Sequence, residues 1–246
     1  MLKLLKPIEQ IDTNIKKDII INNIMKSKGV NLLVSNPKVG KSMLALQLSC
    51  SVINGTPFLG YKVNPSPVLY VTTESDKIQL KERLEFMELS AKKGSLFIID
   101  RQNKANISLK DLEYDIKTFA EEYNGKLIIL DMLKDIDFGV QYDINNYQDV
   151  AQQIFPKLRT YCDKYNVTFL VTHHLNKTGK TLGSIALDAT VDGRITFFPV
   201  SIIFSIIKHH LTTKKTPIQK LIKYKPVLVL PFYIYYYIIK SYYFYY

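Results

Sequence analysis

Tryptophan is absent from this 246-residue sequence, and three other residue types are scarce: two cysteines, four histidines and four arginines. Cys50 and Cys162 stand far apart, with no His or Cys partner at metal-ligand spacing. That excludes a disulfide framework or a zinc knuckle, and both read as buried, reduced thiols of a cytoplasmic protein. Long hydrophobic runs are missing too. The apolar stretch from Pro226 to Ile239 is 14 residues, short of the roughly 20 an α-helix needs to span a bilayer. Met1-Leu2-Lys3-Leu4-Leu5-Lys6-Pro7 is too short and interrupted for a secretory signal.

Acid is the next absence, and it is local. All 22 acidic residues lie at or before Asp192, whereas Phe198 to Tyr246 holds seven lysines and none. Setting those seven aside leaves 26 basic against 22 acidic residues, so a formal charge of +11 shrinks to +4 over the first 197. The body is only mildly basic, and charge by itself is weak evidence for a nucleic-acid partner. The last 49 residues also lack Gly, Asn, Arg and Ala, and eight of 17 tyrosines fall between Tyr233 and Tyr246. A membrane-associated tail and a Tyr/Phe-rich strand pair are two readings. The Lys, Ile, Tyr and Phe bias fits best a shifted-frame or otherwise aberrant ending of an AT-rich gene.

Before that tail, short apolar runs alternate with amphipathic stretches, the pattern of a mainly parallel α/β sheet with helices on both faces. Strands are expected at 30–34, 68–72, 96–99, 127–130, 167–171 and 195–198. Helices are expected over 41–54 (closed by Gly55), 77–90, about 109–123 (capped by Ser108) and 147–165, the last kinked or divided by Pro156. This divides the chain into an N-terminal segment (1–28), a core (29–198) and the tail (199–246).

Ser35-Asn36-Pro37-Lys38-Val39-Gly40-Lys41-Ser42 joins the first of these strands to the first helix, where a phosphate loop, G-x-x-x-x-G-K-[ST], would lie. In that reading backbone N–H groups from Lys38 to Ser42, followed by Met43, cradle phosphate oxygens at the positive end of the helix dipole. Gly40 lets the backbone approach closely. Lys41 places its charge on the β- and γ-phosphates, and the Ser42 hydroxyl ligates Mg2+. Ser35 departs from the pattern. If its position requires a positive φ, serine costs about 1 kcal/mol more than glycine.

Three further groups end strands on the same side. Asp131 closes Leu127-Ile128-Ile129-Leu130 and is the candidate second holder of Mg2+. Glu74, after Val71-Thr72-Thr73, is the candidate for polarising the attacking water, with a solvated loop acid as the alternative. His173-His174 follows the 167–171 strand. Adjacent strand residues face opposite ways, so one of the pair sensing the γ-phosphate fits better than both holding one metal.

Together with Thr56-Pro57-Phe58-Leu59-Gly60, Leu69-Tyr70-Val71 and Gly183-Ser184-Ile185-Ala186-Leu187-Asp188-Ala189, these motifs resemble RecA-like ATPases of the plasmid RepA replicative-helicase type. The resemblance spans about residues 18–198. It implies ATP and Mg2+ as ligands, a hexameric ring, and ATP hydrolysis between subunits, with Glu74 acting on water and the pair His173 and His174 near the γ-phosphate. It also implies an arginine that reaches the neighbouring subunit, and Arg194 in Asp192-Gly193-Arg194-Ile195 stands nearest that place. A surface arginine at a strand start is the alternative. The loop Asn176 to Gly183 would face single-stranded DNA, with Lys177 and Lys180 on phosphates. Three functions stay open: a DNA-acting helicase-like ATPase, a nucleotide-gated regulator that does not translocate, and a truncated product that binds ATP without turnover.

Overall fold

Six strands form one parallel sheet in a computed structural model of the chain, which describes residues 19–100, 107–175, 181, 183 and 185–197. In chain order the elements are β1 (Ile19–Ile21), β2 (Met25–Lys26), β3 (Val30–Ser35), α1 (Lys41–Asn54), β4 (Val68–Thr72), α2 (Lys77–Phe86), β5 (Leu96–Ile99), β6 (Ile107–Ser108) and α3 (Leu112–Glu121). There follow β7 (Leu127–Asp131), a 3-10 turn (Leu133–Asp135), β8 (Ile136–Asp137), α4 (Tyr147–Asp149), a π-helical turn (Val150–Ile154), α5 (Phe155–Tyr165), β9 (Thr168–His174), α6 (Ala186–Ala189) and β10 (Gly193–Phe197).

The sheet order is β10-β3-β9-β7-β4-β5, and all five pairings are parallel. This is the α/β fold of a RecA-like P-loop core. The near-continuous apolar strands follow from it, because both faces are covered. One face packs Leu44, Leu48 and Val52 of α1 and Leu80 of α2 against Leu33, Tyr70, Ile129 and Leu170. The other packs α3, α5 and α6, through Ile116, Phe119, Leu158 and Leu187, against Leu32, Val71, Leu130 and Val171. The β1–β2 hairpin joins the α1 side, burying Ile20, Ile21 and Met25. Asp192, just before β10, accepts the Val30 N–H at 2.8 Å and pairs with Arg159 at 3.0 Å, tying the start of β3 to α5.

The predicted elements occur, with instructive differences at their ends. Gly55 closes α1 in the left-handed region (φ 67°) as expected. α3 begins at Leu112 rather than Leu109, because Ile107 and Ser108 pair with Ile136 and Asp137 as short strands. Ser108 is therefore not its cap. α2 stops at Phe86 rather than Ser90, with Glu88 in a left-handed conformation (φ 55°) that breaks the helix. The 147–165 stretch is helical throughout but relieves Pro156 by a π-helical turn immediately before it, which leaves the proline in the first turn of α5. A missing N–H costs little there. β9 runs on to His174, three residues past its expected end, so both histidines lie in the strand.

Candidate active site

The strands end nearly flush along one edge of the sheet. Phe197 is in register with Ser35, Ser35 with His174, and Thr72 with Asp131. Alternation then sorts the side chains. Ser35, Thr72, Asp131, Thr172 and His174 share the α1 face with Leu33, Tyr70, Ile129 and Leu170.

Between β3 and α1 the loop carries two left-handed residues, Lys38 (φ 62°) and Gly40 (φ 94°). Ser35 is not one of them. It is extended, wholly buried, and donates its hydroxyl to the Asn36 carbonyl at 2.9 Å. The first position of the motif therefore makes no demand for glycine here. The demand falls on Gly40, where the nearest atom to an added Cβ, Phe197 Cε1, would be 3.9 Å away, so conformation rather than space excludes a side chain. α1 starts without a side-chain cap and without acid in its first turn, whereas Asp76 caps α2 and Asn146 caps α4. Its leading N–H groups and dipole are thus left to an anion.

Lys41 is 6% exposed and forms no ion pair among the described residues. Burial pushes its ammonium below the usual lysine range, against the pull of Asp131 and Glu74. Glu74 is held above the usual carboxylate range, chiefly by burial, with Lys41 opposing. His174 Nε2 lies 4.0 Å from Glu74 Oε1. Burial, then Lys41 and Lys134, lower its pKa, so near neutral pH this is a neutral imidazole beside a carboxylate and not an ion pair. His173 is 1% exposed and shares the opposite face with Phe169 and Val171, so of the two histidines His174 is the one beside Lys41 and Glu74.

Asp131 is built differently. It is wholly buried, and hydroxyls satisfy both its oxygens: Tyr70 donates to Oδ2 at 2.7 Å and Thr172 to Oδ1 at 2.6 Å. Burial, followed by the Asp131 charge, raises the pKa of Tyr70 well above the tyrosine range. The hydroxyl of Ser42, in the first turn of α1, and the carboxylate of Asp131 belong to the same side of the sheet. Both are hard oxygen donors of the kind Mg2+ takes, so the donor set fits that ion.

Some of this was not expected from sequence. Tyr70 and Thr172 carry Asp131, and Thr73 braces the following turn by accepting Met132 N–H at 3.0 Å and donating to Asp135 at 3.2 Å. Lys134, in that turn, adds positive charge felt at Lys41, Glu74 and His174. A tyrosine inside an otherwise apolar buried strand was the available signal for the first of these.

Arg194 stands apart from this pocket. It lies three residues before the end of β10, in register with Leu32, and pairs with Asp188 at 2.8 Å. Asp188 also accepts the Thr181 hydroxyl at 2.7 Å. Lys177, Lys180 and the tail from Phe198 onward lie outside the described residues.

The model of one family, described as an AAA domain, matches residues 7–180, well over half of the chain. The chain belongs to that family. It is accordingly a P-loop ATPase-type domain, which implies nucleotide binding. No curated protein matches it. In this AAA domain no described helix is long and apolar enough to cross a membrane.

Proposed function

We propose that this AAA domain is a RecA-like ATPase of the RepA replicative-helicase type, a cytoplasmic protein acting on DNA in a mobile element or phage. The observation that carries the reading is the meeting of Lys41, Glu74, His174 and Asp131 on one face of the sheet, at the edge where α1 opens uncapped. In this reading the Ser35–Met43 backbone binds the ATP phosphates, and Lys41 neutralises the β- and γ-oxygens. Glu74, with its raised pKa, takes up a proton from the attacking water more readily than an ordinary carboxylate. His174, neutral, offers a hydrogen bond to the γ-phosphate. Ser42 and Asp131 would hold Mg2+, which when bound would stabilise charge on the phosphates.

The residue division 1–28, 29–198 and 199–246 belongs to the same proposal, as does the ring. Arg194 would act on a neighbouring subunit, which requires it to leave Asp188. Lys177 and Lys180 would hold single-stranded DNA through its phosphates. The test is ATP turnover by the full chain with and without single-stranded DNA, beside Lys41→Ala. Stimulation by DNA that vanishes in the variant is expected. Turnover indifferent to DNA would move the protein to the class of nucleotide-gated regulators, and turnover unaffected by Lys41→Ala would remove the mechanism altogether.

A further inference from the structure

Glu74 is exposed, on the loop that leaves β4, yet the residues on either side of it are buried and held in place. On the β4 side, Thr73 donates its N–H to the Asp131 carbonyl at 2.8 Å, and its hydroxyl accepts the Met132 N–H at 3.0 Å. On the α2 side, Ser75 donates its N–H to the Thr72 hydroxyl at 3.0 Å, and its own hydroxyl accepts from Arg83 Nη1 at 2.8 Å. Arg83 lies in the last turn of α2, where a cation ordinarily serves the open carbonyls of the helix end. Helical side chains lean toward the N-terminus, and this one runs back along α2 to the loop that precedes it.

A neutral hydroxyl is a modest partner for a guanidinium. Arg159 and Arg194 each pair with an aspartate, whereas Arg83 forms no ion pair among the described residues. A charged donor does make a stronger hydrogen bond than a neutral one, and here that bond falls on the residue next to Glu74. We infer that Arg83 is a positioning residue for Glu74. Acting through the Ser75 hydroxyl, it fixes the α2 side of the loop as Asp131 and Met132 fix the β4 side. The carboxylate between them then meets the attacking water in one place. The inference rests on the proposed role of Glu74 and extends it to a residue on α2.

Two measurements on the full chain test it, the first without nucleotide. In amide exchange by NMR, Arg83→Met, which keeps an apolar stem but no donor, speeds exchange of the Ser75 N–H about tenfold. The Thr73 N–H, held from the other side, keeps its parental rate. Ser75→Ala removes the acceptor and loosens the amide at position 75 equally, and the double variant exchanges no faster than either single one. In turnover with ATP and Mg2+, Arg83→Met lowers kcat about 10- to 100-fold and leaves KM at the parental value. Placed in Glu74→Gln, the same change lowers kcat no further. Unchanged exchange at Ser75, unchanged kcat, or a further loss in Glu74→Gln overturns the inference. So does a raised KM with kcat intact, which would put Arg83 on the nucleotide itself. Glu74→Gln turning over at the parental rate removes the role of Glu74 and the inference with it, a failure told from the others because the exchange rates still change. Should Arg83→Met not fold, Ser75→Ala carries both measurements with the same expected outcomes.

Discussion

On the face covered by α3 and α5 the strands approach their ends through Val34, Val71 and Leu130, while on the face covered by α1 they close with Ser35, Thr72, Asp131 and His174. Both faces bury apolar side chains equally well along the middle of the sheet. They part only in the last residue or two. A parallel sheet makes this cheap, because each strand places successive residues on opposite faces. One face can therefore stay apolar nearly to its edge, with His173 the exception, and supply stability, while the other turns polar at its edge and forms a pocket. Within the pocket the same contrast recurs at smaller scale. Asp131 is fully hydrogen-bonded, whereas Lys41, Glu74 and His174 sit in environments that disfavour their charged forms. Groups left in that condition are suited to a ligand still to come.

Breaking the pocket face at its most exposed point gives the largest expected effect. Glu74→Gln lowers ATP turnover by about 100- to 10,000-fold and leaves nucleotide affinity near the parental value. Because the carboxylate is already held above its usual pKa by burial, the neutral amide does not lower the melting temperature. Turnover within a few-fold of the parent would show that another group handles the water. The opposite face should respond the other way round. Leu158→Ala, wholly buried on α5, destabilises by about 2–5 kcal/mol, read from denaturant unfolding, and the folded fraction binds nucleotide normally. A change in affinity would mean that the two faces are not separable.

Lys41→Ala sharpens the contrast inside the pocket. Nucleotide affinity falls about 100-fold, yet the unliganded protein melts no lower and gains if anything, since a buried ammonium with no ion-pair partner among the described residues has been removed. A clear loss of stability without nucleotide would mean that Lys41 is a structural cation.

Much of this was legible beforehand, and the reasons differ by element. The buried strands and α1 were readable because apolar runs bounded by Ser35, Gly55 and Asp131 admit few other structures. Helix ends were less so. Nothing local to Leu109–Asp111 announces that Ile107 and Ser108 pair with Ile136 and Asp137, a contact across about 30 residues that delays α3. Pro156 was rightly read as a disturbance, but a π-helical turn absorbs it without breaking the helix. At the site, Lys41, Ser42, Glu74 and Asp131 could be proposed from spacing alone. Tyr70, Thr172 and Lys134 could not, because what matters about them is which side chain they meet. Of His173 and His174, only the register of β9 decides which one shares the pocket.

That histidine supplies the smallest expected effect. Burial and the nearby lysines hold His174 below the ordinary pKa of 6.5. Below that pH the unfolded chain takes up a proton that the folded chain refuses, so the contribution to stability is complete above about 6.5 and is lost as the pH falls. His174→Gln removes this term, and the variant's melting temperature falls less than the parent's between pH 7.5 and 5.5. Bound ATP places negative charge beside the imidazole, which favours its protonated form. With saturating nucleotide the parent's acid-side loss therefore shrinks toward that of the variant. If nucleotide leaves the difference unchanged, His174 is not within reach of the phosphates, and the pocket face ends at Glu74.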